Sequence, residues 1–182
     1  GIVKNCTMYD TYYAVNMHNA NNMRIDQNNM SYCHNGLRMG GNNFNITNNI
    51  VHHNEYTGVR IYSGSDAIIH NNTITEHNST GGGNHAIYLN EYSNVNITNN
   101  YILSTRYHGM EIDLSSNITI ENNTCIDNKD GMRFYECTGD ISVFNNTIID
   151  PLFLGIDIYD SQGIDFSNNT LESGGFRYKG TP

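Results

Sequence analysis

The chain has 182 residues, 18 of them acidic and 9 basic, for a formal net charge of −9. That length suits one domain with a buried core, and so few cations exclude a general duplex-binding surface, which needs clustered Lys and Arg against phosphate. Only 15% of residues are charged, yet the chain carries 31 Asn, 13 Tyr and 6 Phe, which argues against a disordered polyelectrolyte.

No apolar run approaches the roughly 18–20 residues of a membrane span, and no charged-then-apolar leader opens the chain, so no membrane insertion is expected. Cys6, Cys33, Cys125 and Cys137 show neither CxxC spacing nor the density of a disulfide scaffold, and do not fix a redox compartment.

One block recurs along the chain. Its clearest copy is Ile69-His70-Asn71-Asn72-Thr73-Ile74, and its copies begin at Val3, Ile25, Ile46, Ile69, Ile97, Ile120, Val143 and Phe166, at intervals of 22, 21, 23, 28, 23, 23 and 23 residues. A second block follows at fixed offset, as in Gly109-Met110-Glu111-Ile112, with copies at Ala14, Gly36, Gly58, Ala86, Gly131, Gly155 and, more weakly, Gly175. Both alternate apolar and polar residues with period two, which predicts short half-buried strands, and no stretch holds a helical period. Such strands cannot build a core within one repeat. Stacked as rungs, they bury each apolar column against its copies above and below. The predicted fold is all-β: a single-stranded parallel β-helix of about eight rungs of 21–28 residues over residues 1–182.

The run I-x-N-N-T-I, the Gly-apolar-x-apolar block and turns such as Ser115-Ser116-Asn117 resemble the repeat of right-handed parallel β-helix proteins. These form the pectin-lyase-like superfamily, including NosD-like carbohydrate-binding and sugar-hydrolase repeats. The resemblance covers essentially the whole chain and implies a right-handed coil. For activity it is unspecific, because the group holds lyases, hydrolases, epimerases, tailspikes and non-catalytic surface proteins. Surface-glycan depolymerases of the disaggregatase kind share the Asn-rich style.

The Asn pairs have a physical reading. Asn tolerates the left-handed backbone of a tight turn, and its amide can pair with the same amide one rung away, about 4.8 Å distant. Either the column Asn48, Asn71, Asn99, Asn122, Asn145, Asn168 or its neighbour Asn49 through Asn169 forms a ladder. The many Asn-x-Ser/Thr triplets are then repeat consensus rather than glycan sites. Neither end carries a capping element, so a segment of a longer protein, with flanking domains or a covering partner, is expected.

In the second block, positions two and four face away from the apolar columns. Stacking makes two ladders: Asn16, Arg38, Arg60, Tyr88, Glu111, Arg133, Asp157, Arg177, and His18, Gly40, Tyr62, Asn90, Asp113, Tyr135, Tyr159, Lys179. Five of the nine basic residues thus gather with three acids and several tyrosines on one solvent-facing strip. Residues just before the block, including His34, Tyr56, His85, Tyr107, His108, Lys129 and Asp130, flank it. The long turn Glu76-His77-Asn78-Ser79-Thr80-Gly81-Gly82-Gly83-Asn84 is expected to overhang its middle.

A polysaccharide suits such a strip, because sugars repeat at about 5 Å, close to the rung spacing. Tyr faces can stack on rings and Arg forks can bind uronate or sulfate. Arg38 and Arg60 on adjacent rungs would repel unless an anion lies between them, which points to an acidic sugar. The expected substrate-binding residues are Arg38, Arg60, Tyr62, Tyr88, Tyr107, Asp113, Tyr135 and Tyr159. The expected catalytic residues are His85, His108, Glu111, Arg133 and Asp157. Glu111 and Asp157, two rungs or about 9–10 Å apart, fall near the inverting-glycosidase range. The resemblance equally implies elimination, with Arg or Lys as base and Ca2+ against the uronate. The opposite reading is that Glu111, Arg133 and Asp157 are cross-strand ion pairs on a solvated face.

Copper is disfavoured, since Met8, Met30, Met39, Met110 and Met132 all fall in apolar columns. No dedicated metal-ligand set is expected, and Ca2+ at Asp113 or Asp157 is the only cofactor left open. Taken together, the sequence predicts an extracellular or cell-surface domain that binds and cleaves an acidic polysaccharide, as a lyase or glycoside hydrolase. The alternative is a non-catalytic adhesin or stalk module.

Overall fold

The computed structural model describes residues 1–77 and 83–180. Among the described residues there are twenty strands and no helix. Each strand pairs in parallel with its copy one turn on: Ile46 faces Ile69, and Ile69 faces Ile97. Two sheets result, one of twelve strands and one of eight, coiled as a solenoid of about eight turns.

In the first half of the chain the second block and the next Asn-bearing block share one long bent strand, as in Tyr13–Asp26, Asn35–Thr47, Val59–His70 and Ile87–Thr98. The sequence suggested separate short strands. Residues with left-handed φ, such as Asn19 at 52°, Asn22 at 56° and Asp66 at 63°, bend the chain while rung-to-rung pairing continues. Beyond Leu103 the same path breaks into pairs such as His108–Asp113 and Ser116–Glu121. The three-residue strands, such as Thr73–Thr75, form the eight-stranded sheet.

The apolar columns stack as the period demands. Val15, Leu37, Val59, Ile87, Met110, Met132 and Ile156 form one, and Ile25, Ile46, Ile69, Ile97, Ile120 and Val143 another, all buried. Met30, Met39, Met110 and Met132 are fully buried, and Met8 packs against the same core. Close rung stacking explains the Gly that opens the second block: a Cβ at Gly131 would lie 2.6 Å from the Gly155 carbonyl oxygen. All four cysteines are free. Among the described residues no helix is long and apolar enough to cross a membrane.

Of the two Asn columns, the second points inward. Asn28, Asn49, Asn72, Asn100, Asn123 and Asn146 are buried, and each Nδ2 donates to Oδ1 of the next, from Asn28→Asn49 at 3.0 Å to Asn146→Asn169 at 3.0 Å. Each Oδ1 also accepts the backbone N–H one rung below, as Asn123 does from Asn100 at 2.9 Å. Each amide also donates to a carbonyl, as Asn100 does to Ile69 at 2.9 Å. The first Asn of each pair supplies the turn, with φ of 57°, 53° and 56° at Asn48, Asn71 and Asn99.

Candidate functional site

Two outward columns on neighbouring positions build the site. The residues before the second block stack as Asn35, Thr57, His85, His108, Asp130 and Leu154, with His108 opposite Asp130 and Asp130 opposite Leu154. The second column runs Arg38, Arg60, Tyr88, Glu111, Arg133, Asp157, Arg177 in continuous register.

The strip points away from the core but is not solvated at its centre. Glu111 is 6% exposed, Asp157 3%, His85 6% and His108 3%. This corrects the expectation of solvent-facing ladders: large outward side chains on adjacent rungs cover one another. His85 Nδ1 lies 2.8 Å from Glu111 Oε2, and His108 Nε2 lies 3.9 Å from the same oxygen. On its other side, His108 Nδ1 is 2.9 Å from Asp130 Oδ2, while Asp130 Oδ1 accepts the Leu154 N–H at 3.0 Å. The His85 and His108 contacts are ion-pair distances off the ring N–H axes. His85 Nδ1 and both His108 ring nitrogens are therefore buried without a hydrogen bond.

The imidazoles stack at 5.3 Å between ring centroids, and Tyr107 stands edge-on to both, 5.2 Å from His85 and 4.5 Å from His108. Lys129 Nζ lies 4.0 Å over the Tyr107 ring. Burial pushes the His85 imidazole below its ordinary pKa, against the pull of Glu111. Burial would raise the Glu111 carboxyl, but its contacts with His85, His108 and Arg133 outweigh it and hold the group below its usual range. Asp130 is likewise held down, because His108 and the Leu154 N–H overcome desolvation.

Toward the C-terminus, Arg133 Nη1 donates to Glu111 Oε1 at 3.0 Å, and its Nε lies 3.9 Å from Asp157 Oδ2. Arg177 grips Asp157 with two bonds of 2.8 and 2.6 Å. Asp157 is thus committed to guanidinium groups. Asp113 accepts the Tyr88 hydroxyl at 3.0 Å; burial, with the Glu111 charge behind it, lifts its carboxyl to about 7. Among the described residues, the convergent set of three His, Cys, Asp or Glu ligands is His85, His108 and Glu111.

Toward the N-terminus, rings and cations interleave. The Arg38 guanidinium lies 5.9 Å from the Tyr13 ring centroid and 4.9 Å from Tyr62, and Arg60 lies 5.6 Å from Tyr62 and 5.0 Å from Tyr88. The repulsion between Arg38 and Arg60 is therefore eased by the Tyr62 ring itself, with no need of an intervening anion. A cleft of about 380 Å³ opens here, its wall formed by Tyr13, Arg38, Arg60 and Tyr88 together with His34, Asn35, Tyr56, Thr57, Gly83 and His85. Tyr12, His34 and Tyr56 stack beside it at successive centroid distances of 4.2 Å. Of the long turn expected to overhang the strip, residues 78–82 lie outside the described residues. Its Gly83 carbonyl accepts the Thr57 hydroxyl at 2.9 Å.

The structure thus joins His85, His108, Glu111, Arg133, Asp157, Tyr88, Tyr107 and Asp113 in one cluster, with Arg38, Arg60 and Tyr62 on its N-terminal side. Tyr135 and Tyr159 form a separate stacked pair 5.3 Å apart, capped by Arg133 and Lys179. Two contributors were not singled out from sequence: Asp130 as the partner of His108, and Tyr13 as the first ring of the ladder. The signal existed, since both stand just before a second block, in the same column as the histidines or beside it.

No curated protein sequence matches the chain at a significant level. Among solved structures it is similar to DFA-IIIase from Arthrobacter chlorophenolicus without its lid, with TM-score 0.75 at 15% identity over 96% of this chain and 50% of that one. A mutant of the periplasmic alginate epimerase AlgG gives TM-score 0.73 at 17% identity, over 93% of this chain and 45% of that one. The Streptococcus pneumoniae surface protein and adhesin PfbA gives 0.66 at 19%, over 88% and 49%. The chain spans about half the length of these proteins, and at such identities the likeness concerns the fold. The right-handed β-helix region family matches residues 13–171. With that match and the parallel solenoid, the chain belongs to the right-handed β-helix family.

Proposed function

We propose that this domain binds an acidic polysaccharide along the Arg38–Asp157 strip and cleaves it at the His85, His108, Glu111 and Arg133 centre, by elimination or hydrolysis, outside the cell or at its surface. The observation that carries the reading is the ladder Tyr13, Arg38, Tyr62, Arg60, Tyr88 running straight into that centre. Rings and guanidinium groups alternating along the strand-stacking direction match a chain of sugar rings bearing carboxylates. Arg60, which lines the cleft, carries a buried Nε with no hydrogen-bond partner, a donor that a ligand anion would satisfy. Similar folds that include an alginate epimerase and a DFA-IIIase support a carbohydrate ligand.

A non-catalytic surface module is the second reading. It is favoured by the Glu111–Arg133–Asp157–Arg177 chain of contacts, which satisfies several of these charges internally, and by the likeness to an adhesin. Incubation with a panel of uronic-acid and neutral polymers separates the two. Absorbance from unsaturated ends marks elimination and new reducing ends alone mark hydrolysis. Binding without either marks a glycan-binding module, and no binding across the panel removes the enzyme and leaves a stalk.

A further inference from the structure

The geometry points to a site for a divalent transition-metal ion, Zn2+ by its donor set, held by His85 Nδ1, His108 Nε2 and Glu111 Oε2. It shares residues with the glycan centre proposed above but rests on donor geometry alone and does not require a sugar ligand.

The three ligand atoms lie within 4.8 Å of one another, at 2.8 Å for His85–Glu111 and 3.9 Å for His108–Glu111, and all three side chains are buried. Bonds of about 2.0–2.1 Å at tetrahedral angles place ligand atoms about 3.3 Å apart, so these separations bracket what the ion needs. Both nitrogens are buried with no hydrogen bond to occupy them. Imidazole nitrogens and a carboxylate oxygen brought together in that position are held either by a proton between them or by a metal ion.

The surroundings supply what a metal site requires beyond its ligands. Asp130 stands 2.9 Å from the far nitrogen of His108 and is itself fixed by the Leu154 N–H. A carboxylate thus stands beside the far nitrogen, the neighbour that a metal-bound imidazole takes in its outer shell, while Nε2 faces Glu111. Arg133 holds Oε1 of Glu111, which leaves Oε2 as the oxygen turned to the imidazoles. Two nitrogens and one carboxylate oxygen match a borderline ion rather than Ca2+ or Mg2+, which take oxygen. Of the three ligands His85 also lines the cleft, from which water or a ligand oxygen would reach the ion.

The test titrates metal-free protein, with no sugar present, using Co2+ and following the visible absorption of a four-coordinate ion, then displacing it with Zn2+. One equivalent is expected to bind, and His85→Ala and His108→Ala each to weaken binding at least tenfold. Asp130→Asn keeps all three ligands and is expected to weaken it roughly 10- to 100-fold, which keeps the test decisive if an alanine variant does not fold. The exposed pair His52 and His53, near Glu76, is the competing site; His52→Ala/His53→Ala should leave the signal unchanged. Absence of binding, binding indifferent to His85 and His108, or loss of binding in the double variant overturns the site. Because no glycan enters the experiment, a protein that binds Co2+ but no polymer keeps this site while losing the proposed activity, and the reverse outcome does the opposite.

Discussion

Glu111 Oε2 lies 2.8 Å from His85 Nδ1 on the preceding rung, with both side chains more than nine-tenths buried. An outward position on a β-helix therefore carries interior electrostatics. Glu111 also receives Arg133, so one carboxylate fixes three groups from three consecutive turns. Glu111→Gln keeps the shape and removes the charge. Breaking a buried pair by removing one partner is costly, and the amide can still meet some partners, so a loss on the order of 1–3 kcal/mol is expected in urea unfolding. An unchanged midpoint would mean the cluster is solvated and its role purely one of binding.

The inner Asn ladder predicts unequal costs for neighbouring residues. Asn100 is buried and exchanges amide bonds with Asn72 and Asn123 besides donating to the Ile69 carbonyl. Asn100→Ala strands several buried partners and should cost about 3 kcal/mol or more. Asn99→Ala loses mainly the ease of left-handed φ, about 1 kcal/mol. Denaturant midpoints of the two variants give the comparison; equal losses would refute the inward assignment.

Acid should act on stability in two separate windows. His77 is buried, and desolvation lowers its pKa from 6.5 to about 4. The unfolded chain then binds the proton first, so stability falls as pH drops from 6.5 to 4, by on the order of 3 kcal/mol, and levels off below. Asp26 is lowered from 3.8 to about 2, first by the Asn48 amide, with Thr47, Lys4 and Arg24 adding to it. Its contribution is present above about 3.8 and disappears as pH falls toward 2. Asp113, lifted to about 7, gains stability as pH falls through that upper window and opposes His77 there. The His77 slope is therefore read as the difference between unfolding curves of the parent protein and His77→Gln, a variant that should leave the Asp26 slope below pH 3.8 unchanged.

Arg60 lies between the Tyr62 and Tyr88 rings at the cleft. Arg60→Ala should weaken binding of a uronic-acid oligosaccharide about tenfold or more, as expected for a charge-assisted contact, and leave a neutral oligosaccharide nearly unaffected. Calorimetry with matched acidic and neutral oligomers reads the difference. Equal losses on both would assign the cleft to ring stacking rather than charge.

Much of this molecule was legible before any coordinates. The near-constant interval between Ile46, Ile69, Ile97 and Ile120, with period-two alternation inside each block, leaves stacked parallel rungs as the arrangement that buries every apolar column. The gathering of Arg38, Arg60, Glu111 and Arg133 on one strip followed from the same alternation. The turn chemistry was half legible: an Asn pair signals a tight turn, but two identical neighbours carry no mark of which enters the core. The φ of 56° at Asn99 decides it by rotating Asn100 inward.

What alternation could not supply was burial on the outer face and contact between columns. Sequence places Glu111 outward and His85 a few residues before a strand one rung earlier. Only the fixed rung spacing and the lateral offset of two adjacent columns bring Nδ1 and Oε2 together. Rung spacing alone sets Asp130 against His108 within one column, and the offset between columns brings the Tyr62 ring to both Arg38 and Arg60 where repulsion was expected. Periodicity is a one-dimensional property and determined the fold and the strip. The electrostatic character of the site depends on distances between side chains about 20 residues apart in sequence, and those were decided only when the rungs stacked.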